Sequence, residues 1–226
     1  MPEKSESLEQ QNDSSVQRKI GLDLLSGLTQ LFVLLILKKG PQHGYELNNR
    51  LEPIYGGRLS PGTIYPLLQK RMEENKDYIQ SRTTIVSGRK RRTYVITRTG
   101  RIALENALDI LRCIITNEKP EIDAEDIGVE LLKNLAQYRI LFILDQSPLH
   151  GYKIVEKLDE LFGKKIKLGT IYPSLHRLID NGYILSESQW TGDREKKVYD
   201  LTPLGKQALQ NAHEIVEQIA NETIFD

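Results

Sequence analysis

A single cysteine, Cys113, stands in 226 residues, so no disulfide can form within the chain. That scarcity suits a reducing compartment. The longest apolar run, Leu31–Leu37, is far too short to cross a bilayer, and no membrane segment is expected. The N-terminus has no basic segment leading into an apolar one, so no secretory signal is expected and the expected location is the cytoplasm. Four histidines and one cysteine form no cluster with metal-ligand spacing, and neither a metal nor a cofactor is expected. Catalytic residues are not expected either: no Ser/His/Asp arrangement, phosphate loop or clustered carboxylate pair stands out. Overall charge is also missing, with 31 Lys+Arg against 31 Asp+Glu.

The chain says the same thing twice. His43-Gly44-Tyr45 returns as His150-Gly151-Tyr152, and Gly62-Thr63-Ile64-Tyr65-Pro66 as Gly169-Thr170-Ile171-Tyr172-Pro173, both 107 positions on. Residues 20–73 and 127–180 share 21 identities at that offset. Hydrophobic content of 39% and charged content of 27% fit a globular protein with room for two domains. We expect a disordered tail over 1–19, rich in Ser, Glu, Gln and Asn, and a first domain over 20–117. An acidic linker follows over 118–126, then a second domain over 127–226. The neutral total hides an imbalance: residues 23–117 carry a net +7 and residues 128–226 a net −2. A polyanion would meet the first copy more readily.

Each copy has one layout. Leu24, Leu25, Leu28, Leu31 and Leu35 are spaced for a first helix, as are Leu131, Leu132, Leu135, Tyr138 and Phe142. A second helix runs through Tyr45, Leu47 and Leu51, or Tyr152, Ile154 and Leu158, and is stopped by Gly56-Gly57 or Gly163. A third starts with Ser60 as N-cap and Pro61 as its first residue, with Ile64, Leu67, Leu68 and Met72 facing inward. Its counterpart turns Ile171, Leu175, Leu178 and Ile179 inward, but has Lys167 and Leu168 at the cap. Two β-prone runs come next, Tyr78–Val86 and Arg92–Thr97, joined by residues 87–91. The second copy repeats them as Tyr183–Trp190 and Lys197–Thr202, joined by residues 191–196, with the offset reduced to 105. A closing helix starts at Thr97 or Thr202. The expected fold class is mainly α with small β-hairpins (α+β): tandem winged helix-turn-helix domains, each with an appended C-terminal helix.

These motifs resemble the PadR family of transcriptional regulators. The resemblance rests on the proline-x-His-Gly-Tyr and Gly-Thr-Ile-Tyr-Pro segments, and on a basic hairpin leading into Tyr-x-x-Thr-x-x-Gly. The last is Tyr94 to Gly100 in one copy and Tyr199 to Gly205 in the other. The resemblance implies DNA binding, with repression the usual outcome, and homodimers that pair through terminal helices. It allows a small-molecule effector and self-association, which stay open here. Two domains in one chain depart from the usual single one.

A helix exposing small and polar side chains at its start suits the major groove of double-stranded DNA. Ser60, Gly62, Thr63, Tyr65, Pro66, Gln69 and Lys70 are the candidates in the first copy. Gly169, Thr170, Tyr172, Pro173, His176 and Arg177 are those in the second. The wing residues Arg89, Lys90, Arg91 and Arg92 suit phosphates or the minor groove. Arg194, Lys196 and Lys197 form a weaker wing, diluted by Asp193 and Glu195. Blander readings stand beside these. Tyr65 and Tyr172 either contact DNA or tether a backbone group, His43 and His150 orient the second helix, and Trp190 is expected as a buried anchor. The competing function is a winged-helix interaction module whose second copy binds protein rather than DNA.

Overall fold

The computed structural model describes residues 19, 21–86, 89–118, 120–121, 127–162, 168–191 and 194–226. In the first copy a helical stretch over 21–25 tightens at Ser26–Leu28 and runs into α1 (Thr29–Lys38). Then come β1 (Gln42–His43), α2 (Gly44–Tyr55) and α3 (Pro61–Pro66), the last prolonged by a π-wound segment, Leu67–Glu74. The hairpin β2 (Ile79–Val86) and β3 (Arg89–Ile96) leads to α4 (Arg98–Thr116). The second copy has a 3₁₀ stretch Val129–Leu135, α5 (Ala136–Leu144), β4 (Leu149–His150), α6 (Gly151–Phe162) and α7 (Leu168–Asp180). It ends with β5 (Ile184–Thr191), β6 (Arg194–Leu201) and α8 (Pro203–Ala220). Each copy is an α+β winged helix-turn-helix.

The reason for α1's unbroken apolar run is that the helix is covered on all sides: every residue from Leu31 to Leu37 is buried. It packs against α2, β3 and α4. Amphipathic helices surround it, α4 turning Ala103, Leu104, Ala107, Leu108 and Leu111 inward. The Tyr-x-x-Thr-x-x-Gly motif also has a physical reading. Tyr94 is buried, and the Thr97 hydroxyl caps α4 by accepting the Gly100 N–H at 3.0 Å. A side chain on Gly100 would stand 2.0 Å from the Tyr78 carbonyl oxygen. Tyr199, Thr202 and Gly205 repeat the arrangement, again with a 3.0 Å cap, and a Cβ on Gly205 would lie 1.9 Å from the Tyr183 oxygen.

The sheets differ from expectation in two ways. Each holds a third strand, in the order β1-β3-β2 and β4-β6-β5, because Gln42 pairs with Tyr94 and Leu149 with Tyr199. The hairpins also run longer than the β-prone residues do. Arg89, Lys90 and Arg91, expected in a connector, lie in β3 opposite Val86, Ile85 and Thr84. Arg194, Glu195 and Lys196 likewise lie in β6 opposite Thr191, Trp190 and Gln189. The described side chains toward these hairpin ends, Arg82–Ile85, Arg91, Arg92 and Leu185–Trp190, are exposed, so burial gives no signal there, while backbone pairing continues regardless. Residues 87, 88, 192 and 193, and so Asp193, lie outside the described residues, as do Gly163 and Lys167.

The offset change from 107 to 105 is absorbed at the end of the third helix. In the first copy the winding widens, with the Asn75 N–H on the Lys70 oxygen at 3.1 Å, and Asp77 turns the chain at φ 53°. In the second, α7 is regular and closes with Tyr183 N–H on the Leu178 oxygen at 2.9 Å and Gly182 N–H on the Ile179 oxygen at 2.8 Å.

The two copies share one continuous apolar core. Helix α4 packs against α8, and the segments Ser26–Leu28 and Val129–Leu135 pack against each other. The opening segment of each copy also crosses the closing helix of the other. A Cβ on Gly128 would stand 2.1 Å from the Ala103 oxygen, and one on its repeat mate Gly21 would stand 2.8 Å from the Asn211 carbonyl carbon. A shared glycine therefore marks each crossing, where no side chain fits. Tyr78 donates to Glu130, and Lys76 pairs with the same carboxylate at 3.0 Å. Burial opposes the charge on Glu130, but the Tyr78 hydroxyl and the Lys76 ammonium outweigh it and hold the carboxyl below its ordinary range. The mirrored contact sets Asp23 near Tyr183, whose phenol is pushed up by burial and then by that carboxylate.

The chain end breaks the equivalence. Lys38 sits between Glu105 at 2.8 Å and Glu222 at 2.7 Å, and Lys39 pairs with Asp226. Phe225 meets the Phe32 ring edge-on, centroids 6.0 Å apart, and Arg112 donates to the Ala220 carbonyl at 3.2 Å. The last six residues of the second copy thus cover the first.

Candidate nucleic-acid interface

The third helix divides cleanly by exposure. Ile64, Leu68 and Met72 are buried, whereas Ser60, Gly62, Thr63, Tyr65, Pro66 and Lys70 are exposed and Gln69 is half-buried. In α7 the buried set is Ile171, Leu175 and Leu178, and Tyr172, Pro173, His176 and Arg177 are exposed. Gly169 and Thr170 lie in the first turn of α7, and Arg89, Lys90 and Arg194 at the hairpin ends, described in backbone only.

Local chemistry holds the first helix-turn-helix in place. The His43 N–H donates to Glu46 Oε2 at 2.9 Å, and its ring Nδ1 lies 3.1 Å from the Thr93 hydroxyl, tying the start of α2 to β3. This is the orienting role expected of His43. Asn48 clamps the turn before α3: its amide donates to the Leu59 carbonyl at 2.7 Å and accepts the Leu59 N–H at 2.9 Å. Ser60 occupies the N-cap position, but its hydroxyl meets Thr63 Oγ1 at 2.9 Å instead of capping a backbone N–H. The second copy keeps the histidine, with His150 Nδ1 3.3 Å from the Lys197 oxygen. It has Lys153 in place of Glu46 and Val155 in place of Asn48, so both devices are specific to the first copy.

Helix two, helix three and the wing enclose a cleft in each copy. The first, of about 410 Å³, is lined by His43, Gly44, Tyr45, Tyr65, Gln69, Arg91, Arg92 and Tyr94. The second, of about 450 Å³, is lined by the repeat mates His150, Gly151, Tyr152, Tyr172, His176, Lys196, Lys197 and Tyr199. Gly44 lets the Tyr65 ring approach, since a Cβ there would lie 3.0 Å from it. The Tyr94 hydroxyl is buried without a hydrogen-bond partner. In the second cleft, Tyr152 stacks on His150 at 5.6 Å and Lys196 Nζ stands 5.7 Å over the Tyr152 ring. Burial, and then the neighbouring Tyr172, push the Tyr199 phenol up.

The structure thus brings Tyr65, Gln69, Arg91 and Arg92 to one cleft, and Tyr172, His176, Lys196 and Lys197 to another. It adds Tyr45 and Tyr152, which the sequence reading places on the second helix and which are 58% and 48% exposed. Their place next to the motif histidines was the available signal. Trp190 corrects an expectation: it is 71% exposed, like its mate Ile85 at 72%, because among the described residues none packs over either side chain. Among the described residues no group of acidic, histidine or cysteine side chains is arranged to hold a metal. No described helix is long and apolar enough to cross a membrane.

Comparison with known proteins identifies the family. The transcriptional regulator PadR-like family matches twice, over residues 33–106 and 140–211. Transcriptional regulator Rv3488 of Mycobacterium tuberculosis is 30% identical over 95 residues, covering 42% of this chain and 88% of that protein. The negative transcriptional regulator PadR of Bacillus subtilis is 38% identical over 78 residues, covering 33% of this chain and 43% of that one. Its crystal structure with operator DNA aligns at 36% identity and a TM-score of 0.33, over 35% of this chain and 46% of that chain. This family consists of transcriptional regulators, not enzymes. With its domain matched in both halves, the chain belongs to the PadR-like family of transcriptional regulators and carries that domain in tandem.

Proposed function

We propose that the protein binds double-stranded DNA sequence-specifically, as a repressor, with its two copies acting as a dimer within one chain. The observation carrying this reading is the recurrence of one exposed cleft, aromatic and cationic, built from repeat-related residues in both copies. In each cleft the third helix supplies the groups for base edges, Gln69 and Lys70 or His176 and Arg177. The wing cations, Arg89, Lys90, Arg91 and Arg92 or Arg194, Lys196 and Lys197, neutralise phosphates. Reciprocal crossings at Gly21 and Gly128 support a pseudo-twofold arrangement, with domains over 20–117 and 127–226 joined by residues 118–126. The bound site is an imperfect palindrome, since Gln69 corresponds to His176 and Ser60 to Lys167. Repression follows the Bacillus subtilis relative, a negative regulator by name. A small-molecule effector would act on the helices that join the copies, and self-association of two chains would add further half-sites.

Selection of genomic fragments followed by footprinting tests the geometry. Two protected half-sites about one helical turn, roughly 34 Å, apart are expected. A single half-site, or no protection, overturns it. The acid-diluted second wing and exposed Trp190 favour one competing reading, in which the second copy docks protein. Joint replacement of Tyr172, His176, Lys196 and Lys197 by alanine decides between them: unchanged DNA affinity supports that alternative, and a loss supports the two-cleft reading.

A further inference from the structure

A third cleft, of about 540 Å³, lies away from both wings, between α5 and α8 of the second copy. Its size falls within the range of small-molecule sites. Phe142 and His213 line it, their rings 6.4 Å apart between centroids and within 12° of parallel. Tyr138 stacks against both from the core side, and its hydroxyl lies 2.8 Å from His213 Nδ1. Burial, and then the Glu217 carboxylate, keep that phenol protonated, and His213 Nε2 lies 3.7 Å from Glu217. The His213 ring is thus contacted by both Tyr138 and Glu217. Asp145, Glu214 and Glu217 also line the cleft, against one cation, Lys206.

The first copy is built differently at the same place. Tyr138, Phe142 and His213 correspond to Leu31, Leu35 and Leu108, all buried. Asp145 corresponds to Lys38, which is paired with Glu105 and Glu222. Glu217 corresponds to Arg112, bonded to the Ala220 carbonyl of the chain end. Where the first copy buries leucines, the second thus sets an aromatic and an imidazole ring at the edge of an open cleft.

We propose that this cleft binds a small planar aromatic cation, its ring against Phe142 and His213 and its charge among Asp145, Glu214 and Glu217. Flat rings gain from parallel aromatic faces, and a positive charge gains from both those faces and the carboxylates. The site also has a route to the rest of the molecule. Helix α5 touches α7, and α8 packs on α4 of the first copy, so an occupant bears on the elements that set both DNA-facing clefts. That regulatory consequence rests on the DNA-binding reading; occupancy itself does not.

Calorimetric titration of the full chain without DNA tests occupancy, using p-aminobenzamidine as the cation, p-aminobenzamide as its neutral analogue and p-aminobenzoate as the anion. The cation is expected to bind about tenfold more tightly than either analogue. The double variant F142L/H213L installs the first copy's residues, so it should fold; equal thermal unfolding of variant and parent checks this. It should weaken the cation about tenfold, and Glu217→Gln about threefold. Preference for the anion, equal binding of all three probes, absence of binding, or unchanged affinity in the folded double variant would each overturn the proposal. A fluorescently labelled operator fragment then reads the regulatory step. Cation binding without any change in operator affinity removes the coupling and leaves the site. Failure of the operator to bind at all counts against the DNA reading alone.

Discussion

The two clefts between helix two, helix three and the wing are lined by repeat-related residues and differ in electrostatics. The first pairs Gln69 with Arg91 and Arg92 on a chain half of net +7; the second pairs His176 with Lys196 and Lys197 on a half of net −2. Guanidinium groups present a planar fork that suits phosphate bidentately, whereas an ammonium acts as a point charge. In the second cleft one such charge already lies over Tyr152. The first copy also fixes its helix-turn-helix with the Asn48 clamp and the Glu46 bond, both absent from its mate. Duplication thus preserved backbone architecture while the charge of the two surfaces diverged, and under the proposed DNA-binding reading the first copy should grip more tightly.

The comparison can be broken most sharply at the crossing between copies. Gly128→Ala places a methyl group against the Ala103 backbone at a φ of +100°, and should cost about 3 kcal/mol or more in chemical denaturation. Gly21→Ala, with its longer 2.8 Å approach and no positive φ, should cost less. Equal losses would mean that the two crossings are equally tight. Next comes the wing asymmetry. Replacing Arg89, Arg91 and Arg92 by alanine should flatten log K against log salt by about 2 to 3, and more than replacing Arg194, Lys196 and Lys197. Matching slopes would defeat the claim of an unequal grip.

A smaller effect is expected at the buried junction. Glu130→Gln should lower stability by about 1 kcal/mol near neutral pH. Because the folded carboxyl is held below its ordinary range, its contribution is complete above about pH 5 and fades as pH falls through the folded value. Denaturation of parent and variant should therefore converge in acid; a constant gap would show that the charge is irrelevant. The smallest effect is expected at Trp190, the chain's single tryptophan and so a native optical probe of the second wing. Trp190→Ala should cost less than about 1 kcal/mol in stability, since the ring is exposed. Addition of bound operator should shield its emission from acrylamide if that wing lies on DNA. Unaltered quenching would leave the grip to the first wing.

Much of this was legible without coordinates. Leucine spacing marks the helices, and Thr97 and Thr202 mark the start of the closing ones, because capping and amphipathicity are local. The cleft residues Tyr65, Gln69, Tyr172 and His176 follow from the same periodicity, which leaves them on the face opposite Ile64 and Ile171. The wing ends did not follow, since Arg89–Arg91 and Arg194–Lys196 pair through backbone groups that carry no side-chain signature. The exposure of Tyr45, Tyr152 and Trp190 was also illegible, because an aromatic reads as core until it is known whether anything covers it.

The amino-acid order alone therefore determined that the chain holds two winged units, where their helices begin, and which unit is the more basic. Those properties depend on neighbours a few residues apart and on counting charge. Tertiary structure alone decided that each unit's opening segment crosses the other's closing helix, that residues 221–226 cover the first copy, and that Phe142 and His213 border an open cleft. Such contacts join residues of separate elements, from 25 positions apart at Ala103 and Gly128 to 190 at Gly21 and Asn211, and only the packed core brings them together.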